Sequence, residues 1–103
     1  IESDFESLIT FFFFLLTIKG IPITLPYGNY FKPKLFYLNK SLYVSITEKD
    51  ENKVYLFNDN GIIINGFPIF GNSPIDISNS DSDKALEIIV KSEEDGFIIY
   101  EMN

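Results

Sequence analysis

The residues best placed to do chemistry in this chain are acids and amides in one short stretch, Asn79-Ser80-Asp81-Ser82-Asp83-Lys84-Ala85-Leu86-Glu87. Side-chain oxygens recur at Asn79, Asp81 and Asp83, and Glu87 follows four residues later. Oxygen donors at alternate positions can converge on a hard cation such as calcium, with a later acid closing the shell. Lys84 sets a positive charge inside the stretch, and a solvated hairpin loop is its alternative use. Other groupings say less. Glu93-Glu94-Asp95 reads as a charged turn in solvent or a second cation site. Asp76 and Glu87 would make a carboxylate pair of the glycosidase kind only if the fold set them across a cleft. Tyr27, Tyr30, Tyr37, Tyr43, Phe67 and Phe70 would serve either as an aromatic platform for a sugar or peptide or as strand core. Asn39-Lys40-Ser41 fits the glycosylation acceptor pattern, which is too short to be specific in an Asn-rich chain.

Composition removes several chemistries. The 103 residues contain no His and no Cys. That excludes a Ser-His-Asp triad, a cysteine nucleophile, a disulfide and a conventional zinc site within this chain. The 8 cationic residues are all Lys and the formal net charge is −7, which argues against a nucleic-acid partner. Asp, Glu, Lys, Tyr and Ser leave catalysis formally open, but no nucleophile stands beside a base. The expectation is a chain that is not an enzyme.

The elements that must position these groups are strands. Leu8–Ile18 is an 11-residue apolar run containing four consecutive Phe. A spanning helix needs about 20 residues, so a buried strand or short core helix is expected, with membrane contact through residues 8–18 as the alternative. Glu2, Asp4 and Glu6 carry the wrong charge for a signal peptide, and Ile1 is compatible with a piece of a longer protein. Prolines confine Ile21–Pro26 to an edge strand or extended connection. From Leu35 the pattern sharpens. Leu35–Leu38, Leu42–Thr47, Lys53–Phe57 and Ile62–Ile64 read as four short antiparallel strands, with Leu42–Thr47 alternating as if one face were buried. Asn58-Asp59-Asn60-Gly61 is a hairpin signal. A second set follows: Ile75–Ser78, Leu86–Lys91 and Phe97–Tyr100. The chain divides into an apolar segment with connecting strand or loop (1–33), a blade-like module (34–71) and a partial C-terminal module (72–103).

These two modules repeat. Leu42–Phe57 is echoed by Leu86–Tyr100, offset by 44 residues at the start and 43 at the end. A period of 40–50 residues built from short strands marks radially repeated β-sheets, above all propeller blades. The order Val-Tyr-Leu-Phe-Asn-Asp-Asn-Gly, then Gly-Phe-Pro-Ile-Phe-Gly-Asn-Ser-Pro, an acid- and amide-rich loop, Leu-Glu-Ile-Ile-Val and Gly-Phe-Ile-Ile-Tyr resembles bacterial β-propeller blades of the FG-GAP (VCBS-like) type. The resemblance covers about residues 35–102.

The resemblance implies an all-β fold of four-stranded antiparallel blades, the last incomplete, from a larger propeller. It also implies that Asn79, Asp81, Asp83 and Glu87 would supply side-chain oxygens to calcium and Ala85 its carbonyl. Two departures from the family loop stand out: Asn79 takes the place of the first acid, and Lys84 that of a turn glycine. No other cofactor is expected. A bacterial envelope or extracytoplasmic setting is likewise what the resemblance implies. The functional expectation is a non-enzymatic scaffold whose partners are other blades or another protein, with a calcium-dependent adhesion or ligand-binding module as the alternative.

Overall fold

Short runs of β-branched and aromatic residues, separated by Gly, Asn and Lys turns, favour strands along this chain. A computed structural model describes residues 9–12, 15–38, 40–78, 86–92 and 96–102. Among them there is no helix, and ten strands form three antiparallel sheets that are not closed on one another. The first sheet holds β1 (Ile9–Phe12), β2 (Leu15–Ile18) and β3 (Ile21–Thr24). The central sheet holds β4 (Lys34–Leu38), β5 (Ser41–Glu48), β6 (Lys53–Asn58) and β7 (Ile69–Phe70). The third holds β8 (Asp76–Ser78), β9 (Leu86–Lys91) and β10 (Phe97–Met102). In each sheet the strands are paired in chain order.

The apolar run, whose composition indicated burial without an element type, contributes two paired strands with Phe11 opposite Leu16. The Lys19-Gly20 turn, with φ of 50° and 83°, then reverses the chain into β3. Two positive φ values are what a tight hairpin with native twist requires, and glycine accepts the second without strain. Pro22 lacks an N–H and sits in β3, an edge strand, where that loss is tolerated.

Side chains alternate across each strand, so each sheet has two faces. Leu16 and Ile18 of the first sheet, with Leu25, pack on Leu42, Val44, Ile46 and Phe57 of the central sheet. The opposite face of the central sheet places Val54 and Leu56 against Ile75, Ile88 and Val90. The sequence pattern suggested one buried face for Leu42–Thr47. Both are covered instead, and Ser45 and Thr47 are as buried as their aliphatic neighbours. Thr47 stays satisfied because its hydroxyl donates to the Ser73 carbonyl at 2.9 Å, across to the segment leading into the third sheet.

The fourth strand of the central sheet also differs from expectation. Ile62–Ile64 runs beside β6 after the Asn58–Gly61 turn but makes only an isolated bridge, Phe57 to Ile63. Regular pairing resumes at Ile69–Phe70, opposite Val54 and Lys53. Residues 65–68, including a cis Phe67-Pro68 bond, interrupt the strand between. Asn58 organises the preceding turn, its side-chain oxygen accepting the N–H groups of Asn60 at 2.9 Å and Ile62 at 3.0 Å.

Residues 71–75 carry the chain from the last strand of the central sheet to the first strand of the third. That strand, β8, lies beside β4, where Lys34 Nζ meets Asp76 Oδ1 at 2.6 Å and the Ile75 carbonyl at 3.0 Å. Gly71 is buried in this crossing. A Cβ there would stand 2.4 Å from a Val90 methyl, so the third sheet packs this closely only because residue 71 has no side chain.

Candidate functional site

Among the described residues, two clefts and one open face could engage another molecule. The smaller cleft, about 150 Å³, is lined by Tyr27, Tyr30, Glu48, Glu51, Lys53 and Tyr55. At its floor Glu48 ends β5 with only 5% of its surface exposed. Its carboxylate accepts the N–H of Asn29 at 2.7 Å and that of Glu51 at 2.6 Å. Burial is the largest single influence and pushes its pKa up. The N–H groups of Asn29, Glu51 and Asp50, with Lys53 nearby, outweigh it and hold the carboxyl below the usual glutamate value. Glu48 thereby ties the loop ahead of β4 to the turn after β5. Gly28 permits this, since a Cβ there would lie 2.7 Å from the Glu48 side chain.

Tyr30 is a poor acid in this cleft. Burial first, then Tyr55 and the Glu48 charge, raise its pKa to about 12. Its hydroxyl is engaged in donating to the Pro26 carbonyl at 2.7 Å. The pair holds the loop at residues 26–29 in place. Composition gave no hint of it, because Glu48 reads as the start of a polar turn. The one available signal is a strand ending in Glu directly before Lys-Asp-Glu-Asn.

The larger cleft, about 300 Å³, lies between residues 64–69 and β10 and is lined chiefly by Ile64, Phe67, Ile69, Ile88, Tyr100 and Glu101. Tyr100 is committed here too, its hydroxyl donating to the Phe70 carbonyl at 3.0 Å.

The open face belongs to the third sheet. Ile88 and Val90 point inward to the second core. Phe97 and Ile99 point away and are 72% and 63% exposed. Register places Ile99 opposite Ile89 and Ile89 opposite Asp76, while Glu101 lies opposite Glu87 and Glu87 opposite Ser78. The face therefore carries Ile99 and Ile89 in its middle, Phe97 beside Lys91 at the hairpin end, and Glu87, Glu101 and Asp76 toward its other margins. The edge beside it is open as well. Ser92 N–H donates to the Gly96 carbonyl at 2.9 Å. Continuing that alternation along the hairpin turns the peptide groups of Phe97, Ile99 and Glu101 away from β9. No strand pairs with β10 on that side among the described residues.

Asn79, Asp81, Asp83 and Ala85 lie outside the described residues, as do Glu93-Glu94-Asp95. Glu87 is on β9, at the end of the connection from β8. Among the described residues, no group of three or more acids is arranged to hold a metal ion. Asp76 and Glu87 share one face of the third sheet as diagonal neighbours, with no wall opposite among the described residues, and Asp76 is paired with Lys34. A glycosidase arrangement needs the scissile bond between its acids. The aromatic residues do not form one platform: Tyr43 and Phe67 pack on the second core and Tyr30 on the first, whereas Tyr27, Tyr37 and Phe70 are exposed. No helix among the described residues is long and apolar enough to cross a membrane.

No protein-family model matches the chain, and neither the curated proteins nor the solved structures give a match.

Proposed function

We propose that this chain is a run of stacked blades from a β-propeller-type repeat protein of FG-GAP-like character, acting as a non-enzymatic scaffold for protein interaction. One observation carries the reading. Positions related by the repeat have the same place in their sheets, but the central sheet is covered on both faces and the third on only one. Val44 and Ile46 correspond to Ile88 and Val90, and all four are buried. Val54 and Leu56 correspond to Phe97 and Ile99; the first pair is fully buried and the second mostly exposed. The crossing at 71–75, from the last strand of one sheet to the first strand of the next, also supports the reading. It is the connection that successive blades need. The absence of a nucleophile–base pair in either cleft, among the described residues, favours a scaffold over a catalyst.

Light scattering and thermal melts of the chain test this reading. Self-association or poor solubility is expected, because apolar faces and strand edges remain open. A monodisperse, cooperatively melting monomer would count against it.

A calcium-dependent binding module is the second reading. It is favoured by the position of residues 79–85, which join the first and second strands of the third sheet, where the FG-GAP-like loop belongs. Calorimetry with calcium, on the chain and on Asp81→Ala/Asp83→Ala, decides it. Heat lost in the variant supports the module; no heat and no change in melting temperature in the parent chain remove it.

A further inference from the structure

Two Asn-Gly steps occur in the sequence, Asn60-Gly61 and Asn65-Gly66. Glycine leaves no side chain to keep the preceding carboxamide away from its main-chain nitrogen. That nitrogen can then attack the carboxamide carbon wherever the backbone is free to bring the two together. The two steps are held differently. Gly61 N–H donates to the Asn58 carbonyl at 3.0 Å, closing its turn. Asn60 N–H donates to the Asn58 side chain at 2.9 Å. A Cβ on Gly61 would stand 3.2 Å from Ile21 and Ile23 of the first sheet, so this step is also crowded. Asn65 and Gly66 are instead the two central residues of a turn closed by Phe67 N–H to the Ile64 carbonyl at 3.1 Å. That bond lies outside the 65–66 peptide group, which can rotate while the turn stays closed. Among the described residues, neither the Gly66 N–H nor the Asn65 carboxamide has a hydrogen-bond partner. Both residues are exposed, and a Cβ on Gly66 would meet nothing within 4 Å.

We infer that Asn65 is a site of self-catalysed main-chain modification, at which the chain converts its own amide to an acid with water as co-reactant. The Gly66 nitrogen bonds to Asn65 Cγ, and the Cγ–Nδ2 bond breaks. The proton from the Gly66 nitrogen leaves with Nδ2 as ammonia, and a succinimide ring remains. Water then opens the ring. Addition at Cγ gives aspartate; addition at the main-chain carbonyl carbon gives isoaspartate, with the backbone rerouted through the former side chain. Nothing is oxidised or reduced. The reaction needs neither His nor Cys, and no partner. Either product adds one negative charge to the formal −7. Asn65, Gly66 and Glu101 line the cleft of about 300 Å³, so the new carboxylate joins Glu101 there. Isoaspartate also lengthens the backbone ahead of β7, whose pairing with β6 spans only Ile69 and Phe70.

Incubating the full chain in mildly alkaline buffer and mapping its peptides by mass spectrometry tests the inference. An isoaspartyl methyltransferase reports isoaspartate in the peptide that carries residue 65. In the folded chain Asn65 should convert at least about tenfold faster than Asn60, which must first give up the Gly61 hydrogen bond. In guanidinium chloride both turns are melted, and the two rates should come together. Asn65→Gln should remove the early acidic species, because the longer side chain closes a ring far less readily. Asn60→Gln should leave that species unchanged. Both positions are exposed, and circular dichroism checks that the sheets remain. The folded-chain comparison of Asn65 with Asn60 needs no variant at all. Asn60 converting first or equally fast in the folded chain overturns the assignment. So does an Asn65 that stays an amide while the unfolded chain converts.

Discussion

The central and third sheets are written with nearly the same strands, yet they sit in different solvent. Leu56 on β6 is 0% exposed and its counterpart Ile99 on β10 is 63% exposed. The strand patterns do not cause that difference, because both place an aliphatic residue on the same side of the same strand. The cover does: Ile75, Ile88 and Val90 lie over Val54 and Leu56, whereas the described residues put nothing over Phe97 and Ile99. The edges differ in the same way. The outward peptide groups of β6 are met by the returning segment, with Ile64 N–H donating to the Leu56 carbonyl at 2.8 Å and Asn58 N–H to the Ile62 carbonyl at 2.9 Å. Those of β10 meet no strand on that side among the described residues. Burial at matching positions thus depends on whether a neighbouring sheet lies over them, and the outer face of the third sheet is exposed.

The sharpest way to break the comparison is to truncate both counterparts. Leu56→Ala should lower the free energy of unfolding by about 2–5 kcal/mol in urea titrations, as buried leucines do. Ile99→Ala in the dilute chain should change it by less than about 0.5 kcal/mol. Equal losses would mean that Ile99 is already covered. Filling the crossing is the next largest effect. Gly71→Val must displace Val90 and should cost about 1–3 kcal/mol by overpacking, lowering the melting temperature without altering association through the outer face.

Glu48 extends the comparison to pH. Its counterpart in the third sheet, Ser92, is not an acid. The folded pKa of Glu48 lies below the unfolded value, so its stabilising contribution is present above the unfolded glutamate pKa. That contribution is lost as pH falls through the lower, folded value. Glu48→Gln should cost about 1–3 kcal/mol at neutral pH, because one of the aligned N–H groups then faces an amide NH₂. It should also flatten the acid limb of the stability–pH curve. An acid limb unchanged in the variant would show that other carboxylates set it.

The smallest expected effect concerns Glu101, directly across from Glu87 on the open face. Tyr43 and Asn58 occupy the matching pair in the central sheet. Like charges directly opposite destabilise a sheet, so Glu101→Lys should raise stability by about 0.2–1 kcal/mol in low salt. Added salt should erase the gain.

Much of this architecture was legible where alternation and turn chemistry agree. β5, β6, β9 and β10 follow from β-branched runs bounded by Asn, Gly and acidic clusters, and Asn58–Gly61 is a turn for the reason its residues suggest. β7 was not legible, because the isoleucines at 62–64 outweigh Ile69-Phe70 by composition, while pairing depends on where residues 65–68 let the chain return to β6. Burial of Ser45 and Thr47 was hidden for a related reason. A hydroxyl row resembles a solvent face until a neighbouring segment supplies an acceptor, as the Ser73 carbonyl does for Thr47. The Glu48 cleft escaped because its meaning lies in backbone donors from two distant turns, and the Phe run because four identical residues carry no period. The residues proposed for calcium, Asn79 to Ala85, lie outside the described part of the fold, so only their spacing and their place between β8 and β9 bear that idea.

Because the chain contains no cysteine, a thiol placed singly at either counterpart position reports its cover directly. The rate of labelling by a thiol reagent, for Leu56→Cys and Ile99→Cys in parallel, tests the claim that the two sheets share a pattern and differ only in being covered. In dilute solution Ile99→Cys should react at close to the rate of the unfolded chain and slow as concentration rises, while Leu56→Cys reacts at least about a hundredfold more slowly throughout. Equal rates at the two positions, or an Ile99→Cys rate that ignores concentration, would contradict the account.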